Sequence, residues 1–328
     1  LQYVQLPPSN GYVSRVDNFG EVENKGVDFN INSIVVENDD FNWNFNANLG
    51  INKNKLNKLN SNLDFQLGPS IGFSQAYPIL FMVGQPLGIY WGAQTDGIYA
   101  DWEEAINSGI AGAAPGEIKY LNNYVDLDES GQPLAIQEIN FDDYVKIGDP
   151  NPDFTYSISN NFTYKNWDAS ILFTGQKGGD LFWVDSWQLS GLQKTTNVLS
   201  SSFENSWKAP LVYENGSYVY NPGAANINNV GHPGALIDTG ARAISSDRNI
   251  YDGSFIRLKN INIGYNFEFS QGRNMRVYIS GQNLFVWTDY PGYDPEVKTY
   301  TKNPQKRGVD FGTYPGTKSM LIGLKFNY

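Results

Sequence analysis

Residues 41–52 alternate between apolar and polar side chains at every position, and this alternation restricts the fold more than any other feature of the sequence. The apolar members are Phe41, Trp43, Phe45, Ala47, Leu49 and Ile51, and five of the six alternating polar or small positions are Asn. Successive side chains of a β-strand point to opposite faces. The segment therefore predicts a strand with one apolar face and one amide face.

The same period of two recurs along the chain and predicts an all-β fold of nine strands. The further runs are 27–35, 154–164, 167–173, 260–267, 275–282 and 320–328, with a weaker pair at 73–83 and 87–98 around the turn signal 84–86. Short connections at 37–40, 84–86, 165–166 and 268–274 predict hairpins. Residues 1–6 read as the end of a tenth strand, and 101–108 as one short helix.

Composition excludes several other classes. The 328 residues contain no Cys, which excludes disulfide scaffolds and thiolate metal sites, and 15% aromatic content is too high for a disordered chain. The net charge of −11 disfavours binding to nucleic acid. The longest apolar run, 79–83, is too short for a membrane-spanning helix. Any insertion into a bilayer must therefore use strands.

Connection lengths favour a membrane barrel over a soluble β-sandwich. The short turns alternate with long connections near 54–72, 99–153, 177–254 and 288–316, which is the pattern of bacterial outer-membrane barrels. With short turns in the periplasm, the long loops are extracellular and the last strand runs down to a periplasmic carboxyl terminus. Open sheet edges cannot lie in lipid. Either ten strands close a small barrel, or chain before Leu1 completes a larger one.

Seven sequence blocks, in order along the chain, resemble the carboxyl-terminal barrel of SusC/RagA-like TonB-dependent outer-membrane transporters. They are GEVENKGV at 20–27, GQPLGIYWG at 84–92, TDGIY at 95–99, IGDPNPDF at 147–154, DGSFIRLKN at 252–260, SGQNLF at 280–285 and YPGYDPE at 290–296.

The resemblance implies that residues 1–328 form one carboxyl-terminal part of an antiparallel transmembrane β-barrel, its last nine or ten strands of about 22. The plug, the TonB-contacting segment and the earlier strands would then precede Leu1. It also implies import of oligosaccharides or peptides across a Gram-negative outer membrane, with a SusD-like surface lipoprotein as lid. One alternative is a SusC-like barrel that is a non-transporting structural subunit of a larger complex. Another is a secreted, soluble glycan-binding β-protein.

The sequence gives no support to an enzyme. The single histidine, His232, lies in a Gly-Pro-rich loop and would have to carry a catalytic triad or a metal site alone. Adjacent acids such as Glu103 and Glu104 are typical of a solvated surface. No cofactor is expected from these residues.

One segment partly matches a calcium-binding loop. Asp126, Asp128 and Ser130 supply oxygen ligands at positions 1, 3 and 5, followed by Gly131 at position 6. The acid expected at position 12 is replaced by Gln137. Structural calcium is therefore a hypothesis, and an acidic turn is the alternative.

Aromatic residues are frequent in the long connections. We expect six of them to contact ligand or the lid protein, and packing within the loops is the alternative role. They are Trp102, Trp183, Trp187, Trp207, Tyr290 and Tyr293. Trp43, Trp167 and Tyr328 fall on apolar strand faces and predict interfacial girdles. The final alternating run, with Phe326 and Tyr328, resembles the signal that the barrel assembly machinery recognises.

Overall fold

A computed structural model describes most of the chain. The described residues are 2–5, 11, 14–18, 20–59, 63–71, 77–190, 197–208, 211–220, 244–300 and 303–327.

The fold is dominated by strands. In chain order they are β1 (Gln2–Gln5), β2 (Ser14–Asp17), β3 (Gly20–Glu37), β4 (Phe41–Leu59), β5 (Phe65–Leu67), β6 (Ile79–Met82), β7 (Ile89–Gly92), β8 (Thr95–Ile98), β9 (Ile118–Tyr120), β10 (Val145–Gly148), β11 (Pro152–Tyr164), β12 (Trp167–Gly178), β13 (Asp180–Trp183), β14 (Leu211–Glu214), β15 (Ser217–Tyr220), β16 (Ile250–Asp252), β17 (Phe255–Glu268), β18 (Asn274–Trp287), β19 (Val309–Asp310) and β20 (Ser319–Asn327).

Helices are short within the described residues. The α-helices are α1 (Trp102–Asn107), α2 (Ser186–Leu189) and α3 (Ser200–Glu204), and the 3-10 helices are Phe141–Asp143, Asp247–Asn249, Ser270–Gly272 and Pro304–Lys306. In the part of the chain that the structure describes, no helix has the length and apolar character needed to cross a bilayer.

Seven long strands form one antiparallel sheet, which we call the main sheet. Its order is β3, β4, β11, β12, β17, β18 and β20, so each strand pairs with the next long strand along the chain. Short connections at 38–40, 165–166 and 269–273 alternate with long ones at 60–151, 179–254 and 288–318. The main sheet is therefore an up-and-down meander with short turns at one rim and long connections at the other, as the sequence predicts.

The pairing register keeps apolar residues on one face of the main sheet across strand after strand. Opposed residues of an antiparallel pair lie on the same face. Ala169 pairs with Ile263, Ile263 with Ile279 and Ile279 with Ile322, which gives an apolar row across four strands. A second row joins Trp167 to residues of the same three neighbouring strands.

The opposite face carries amides and hydroxyls in equally continuous rows. Asn32 pairs with Asn46, Asn46 with Ser159, and further along the sheet Asn260 pairs with Gln282 and Gln282 with Ser319. One face of the main sheet is therefore apolar and the other is an amide face, as the alternation predicts.

The apolar face is open to its surroundings. Phe29 is 56% exposed, Ile279 52% and Ile322 76%. Among the described elements, extensive contacts occur only between hydrogen-bonded strand neighbours, so no second sheet in the described part of the chain covers the face. Exposure of this much apolar surface requires a non-aqueous environment, and we expect the face to contact lipid.

Aromatic residues on the apolar face form two rows separated by aliphatic residues. Near the short turns, the rings of Trp43 and Phe162 lie 5.8 Å apart, and those of Trp167 and Tyr265 4.9 Å apart. Near the long connections a second row contains Phe154, Tyr156, Phe173, Phe285 and Trp287. Two such girdles flank the apolar band of outer-membrane barrels. Trp43 and Trp167 lie in the first row, and Tyr328 lies outside the described residues.

An ion pair on the amide face joins three strands near the short turns. Arg276 donates to both carboxylate oxygens of Asp168 and, at 2.5 Å, to the side chain of Asn262. Gly264 lies beneath the guanidinium, and a Cβ atom there would come within 2.5 Å of Nε of Arg276. The glycine therefore makes room for an interaction that holds β12, β17 and β18 in register.

The two strands predicted on either side of residues 84–86 do not belong to the main sheet, so that part of the prediction is wrong. β6 and β7 pair over only two positions and belong to a separate sheet of order β10, β7, β6, β5. Residues 79–83 are a continuous apolar run rather than an alternating one, and Ile79, Leu80 and Phe81 are all at most 1% exposed. A strand that is buried on both faces lacks the alternation of apolar and polar residues that is typical of a strand with one polar face. The main sheet consequently has seven strands where nine were predicted.

The predicted tenth strand at residues 1–6 pairs elsewhere. β1 pairs with β2 and not, among the described residues, with the main sheet. The predicted short helix at 101–108 is confirmed as α1.

A lysine placed on each face of β18 tests the assignment of the two faces. We expect Ile279→Lys to destabilise the protein in lipid vesicles by about 2–4 kcal/mol, because a lipid-facing charge near the bilayer midplane costs that much. The matched control is Gln282→Lys, which lies on the amide face of the same strand and should change stability little. Urea unfolding in vesicles measures both, and equal effects would contradict the assignment.

Candidate functional site

The three long connections fold together into one packed unit, which we call the loop layer and which comprises the described parts of 77–151, 179–254 and 288–318. Its core lies against the end of β4: Leu56 and Leu59 of that strand are fully buried beside Tyr90 and Phe182. Leu56 also exchanges backbone hydrogen bonds with residues 84 and 85, so the Gly84 turn docks on β4. Because Leu56 lies on the amide face, the loop layer folds back over that side of the sheet.

The first two connections are tied by half-buried polar contacts. The carboxylate of Asp247 accepts from the backbone N–H of Thr95 at 3.1 Å and from its hydroxyl at 2.7 Å. Backbone hydrogen bonds join Ala93 to Ser245 and Asp247. These contacts fix two segments that are distant in sequence in one position relative to each other.

The third connection is held by a parallel strand pair and a buried tyrosine. Phe182 of β13 pairs with Val309 of β19. The hydroxyl of Tyr90, fully buried, donates to the backbone carbonyl of Arg307 at 2.8 Å. The next residue, Gly308, has φ +71°, and a Cβ there would come within 2.5 Å of the Tyr90 oxygen. Glycine is therefore required where the third connection crosses the tyrosine.

A buried ion pair anchors the third connection to the main sheet. Arg257 of β17 is 2% exposed and contacts Asp294 at 2.5 Å and Glu296 at 2.9 Å. Asp294 also accepts from the backbone N–H groups of Glu296 and Gly316. Arg257 and Asp294 are both buried, and their burial is tolerated because they pair with each other.

Three of the six aromatic residues predicted to contact ligand or lid protein lie inside the loop layer. Trp183, Trp187 and Tyr290 are 7%, 8% and 4% exposed. Trp183 packs edge-on against Tyr290 at 6.2 Å, and Trp187 against Phe182 at 5.4 Å. Their side chains pack the interior of the loop layer, which is the role that the sequence analysis gave as the alternative.

Tyr290 also makes a polar contact in this interior. Its hydroxyl donates to the carboxylate of Asp310 at 2.5 Å. Burial, followed by the nearby Asp310 carboxylate, raises the pKa of Tyr290 above its usual range. The phenol therefore stays protonated and remains the donor.

The other three aromatic residues lie nearer the surface. Trp207 is half-buried and donates from its indole to the carbonyl of Ala100 at 3.1 Å, so it joins the second connection to the first. Trp102, at the start of α1, is 55% exposed, and Tyr293 is 78% exposed. Trp102 and Tyr293 are thus the members of the set that are accessible for a contact, which remains a prediction.

The acidic loop at 126–131 is closed by its own hydrogen bonds. Asp128 accepts from the backbone and hydroxyl of Ser130 and from the backbone of Gln132. The Ser130 hydroxyl, more than any other contact, lowers the pKa of Asp128. Gln137, at the twelfth position, accepts from the N–H of Asp126 at 2.6 Å and donates to carbonyls of the loop.

The acidic loop has the geometry of a hydrogen-bonded turn. In the described part of the chain, no group of three or more His, Cys, Asp or Glu residues is arranged to hold a metal ion. The Asp128 carboxylate accepts its hydrogen bonds from within the loop, and the Asp126 carboxylate accepts from Glu138 and Asn140. Calcium binding stays an untested prediction.

A cavity of about 430 Å³ lies between the amide face of β3 and β4 and the third connection. Six of the sixteen lining residues are amides and two are cations: Val22, Asn24, Asn52, Asn54, Leu87, Gly88, Asn151, Val297, Tyr300, Asn303, Pro304, Gln305, Lys306, Arg307, Gly308 and Val309. Asn54 and Asn151 already bond to each other at 2.8 Å, and Asn54 accepts from the backbone of Leu87.

Lys306 and Arg307 belong to none of the sequence motifs described above. Residues 304–308 contain two adjacent cations between Pro and Gly in a chain with more acids than bases, and that local reversal of charge is the signal that could have indicated them. His232 lies outside the described residues. Phe326 is on the apolar face of β20, opposite Met275, and is 55% exposed.

None of the protein-family models matches the chain. Curated relatives do match it. The chain is 34% identical over 335 aligned residues to TonB-dependent receptor P3 of Formosa agariphila, covering 98% of the chain and 30% of that receptor. It is 25% identical over 350 aligned residues to TonB-dependent receptor SusC of Bacteroides thetaiotaomicron, covering all of the chain and 29% of SusC.

A solved structure of the RagAB peptide transporter shares the fold. The TM-score is 0.71 with 19% identity, over 98% of this chain and 31% of the transporter chain. The chain thus spans about a third of the length of the proteins it matches. The resemblance that the sequence blocks indicate is confirmed, and these relatives are receptors and transporters rather than enzymes.

Removal of one partner of the buried ion pair tests how the third connection is anchored. We expect Asp294→Ala to destabilise the loop layer by about 3–5 kcal/mol, because Arg257 loses a charged partner while it remains buried. The control is Asp289→Ala, an exposed acid of the same connection, which should cost about 0.5 kcal/mol or less. Chemical unfolding followed by tryptophan fluorescence measures both. Equal stabilities would show that the ion pair does not anchor the connection.

Proposed function

Because the chain is homologous to TonB-dependent receptors of the SusC/RagA type, we propose that it forms the wall and mouth of an outer-membrane nutrient importer. The observation that carries this proposal is the main sheet, whose register keeps one face apolar and the other rich in amides across seven strands. In a barrel, the first face contacts lipid and the second lines a water-filled passage. The protein then resides in the outer membrane of a Gram-negative bacterium.

The proposed orientation follows from the connections. The loop layer gathers all three long connections at one rim of the main sheet. Outer-membrane barrels carry long loops outside the cell and short turns in the periplasm. The loop layer is then extracellular, and β20 runs towards the periplasm. Phe326, near the end of β20, is the residue we assign to recognition by the barrel assembly machinery.

The proposed cargo is an oligosaccharide or a peptide. A passage lined by amides and hydroxyls can exchange hydrogen bonds with sugar hydroxyls and with peptide groups. TonB is a proposed partner of the complete protein, because the relatives named above are TonB-dependent receptors. A closed barrel of this kind has no exposed sheet edges in lipid.

A SusD-like surface lipoprotein is the proposed lid, and α1 is its proposed contact. Trp102 and Ile106 lie one helical turn apart on α1 and are 55% and 72% exposed. The helix is held firmly: Asp101 caps it by accepting from the N–H of Glu104, and Glu104 pairs with Lys119 at 2.9 Å. An exposed Trp on a rigid support is a typical interface anchor.

Two measurements test the proposed function. We expect the protein, purified in detergent from its native outer membrane, to carry a surface lipoprotein with it, and uptake of its cargo to require TonB. Trp102→Ala with Ile106→Ala should weaken lipoprotein binding by about 2 kcal/mol, the cost of losing an interface anchor.

The matched control is Tyr314→Ala, which removes an aromatic ring that is 83% exposed in the third connection. An equal loss with the control would contradict the assignment of α1. An intact complex with no TonB-dependent uptake of any oligosaccharide or peptide would contradict import and favour a structural subunit.

A further inference from the structure

The cavity between β4 and the third connection differs in charge from the rest of the chain. The whole sequence has 34 acidic and 23 basic residues. The lining of the cavity contains Lys306 and Arg307 and no Asp or Glu. A cavity with positive charge inside an acidic protein selects for negatively charged groups, because the surrounding acids repel such groups elsewhere.

Both cations are available to a ligand. Among the described residues, neither Lys306 nor Arg307 has a carboxylate oxygen within 4.0 Å. The ammonium of Lys306 lies 4.4 Å from the ring centroid of Tyr300, and burial lowers its pKa. A partly desolvated ammonium that lacks an anionic partner is stabilised when an anion binds next to it.

The backbone that carries the two cations is fixed. The carbonyl of Arg307 accepts from the fully buried Tyr90. Asn303 caps the short helix Pro304–Lys306 by accepting from the N–H of Gln305. Binding therefore has to order the exposed Arg307 side chain but not the backbone beneath it, which limits the entropic cost.

The amide face opposite supplies hydrogen-bonding groups. Asn24 of β3 and Asn52 of β4 lie on the amide face of this strand pair and line the cavity. Each amide offers two donors and one acceptor oxygen. Hydroxyls or peptide groups adjacent to a bound carboxylate would find partners there.

We propose that this cavity is a binding subsite for a carboxylate of the imported oligomer, held by Arg307 and Lys306 with Asn24 and Asn52 binding the adjoining polar groups. Arg recognises a carboxylate through two parallel hydrogen bonds. The carboxylate can belong to an acidic sugar or to the carboxyl terminus of a peptide. The subsite rests on the proposed function, which it deepens by giving the cargo a charge.

The test compares matched probes that differ only in the carboxylate. One pair is trigalacturonic acid and its methyl ester, and the other is N-acetyl-trialanine and its carboxyl-terminal amide. Calorimetry on the complete receptor in detergent should show that the acid of one pair binds about tenfold or more tightly than its neutral form. The pair that shows the preference identifies the source of the carboxylate.

Variants then assign the preference to the two cations. Lys306→Gln with Arg307→Gln should bring the acid and neutral probes to equal affinity, and Arg307→Gln alone should remove most of the preference. The control is Lys298→Gln, an exposed lysine of the same connection that does not line the cavity, which should keep the full preference.

Two results would overturn the subsite. One is a wild-type protein that binds neither acid more tightly than its neutral form, including one that binds none of the probes. The other is a preference that survives in the double variant. Uptake assays distinguish failure of the subsite from failure of the proposed function. If the same protein imports a neutral cargo in a TonB-dependent manner, the import proposal holds even though the subsite proposal is wrong. The comparison of probes on the wild-type protein does not depend on whether any variant folds.

Discussion

Antiparallel pairing in a fixed register is the constraint on which the rest of this structure depends. Between neighbouring strands of the main sheet, backbone N–H and C=O groups satisfy one another, so the five inner strands can lie in a medium without water. The same pairing places many side chains opposite residues of their own kind, as where Ile263 meets Ile279 and Asn260 meets Gln282. A slip of one residue would turn every apolar side chain to the wrong face. The salt bridge of Asp168 with Arg276 opposes such a slip near the short turns.

The loop layer follows a different physical rule from the main sheet. Its strands are short, and its order comes from a hydrophobic core around Tyr90 and Phe182 and from buried polar contacts between distant segments. Asp247 joins the first two connections, and Arg257 with Asp294 ties the third to the sheet. Arg257 and Asp294 are both buried, so loss of one partner of that pair is costly. A rim built in this way can present a cavity and an exposed aromatic helix in fixed positions, as the proposed capture of a cargo and docking of a lid would require.

The parts that sequence could predict are those governed by local periodicity. The run of Asn residues between Phe41 and Ile51 indicated both the strand and its two faces, and the same reasoning held for all seven main strands. This reasoning failed at residues 79–83, because a strand that is buried on both faces shows no alternation of apolar and polar residues. The loop layer could not be predicted from local periodicity either, because contacts such as Phe182 with Val309 join residues that are far apart in the chain. Exposure could not be read from residue type, so Trp102 and Trp183 were given the same role although one is exposed and the other buried.

Cysteine scanning of β4 in the membrane tests the central claim most directly. The chain contains no Cys, so each introduced thiol is the only reactive site within these residues. Phe45, Asn46, Ala47 and Asn48 would each be replaced by Cys and exposed to a water-soluble maleimide in native outer membranes. The account predicts labelling of the thiols at 46 and 48 and protection of those at 45 and 47, with the reverse for a lipid-soluble probe. Equal labelling at all four positions, or labelling of 45 and 47 by the water-soluble reagent, would contradict a wall with one face in lipid and the other in water.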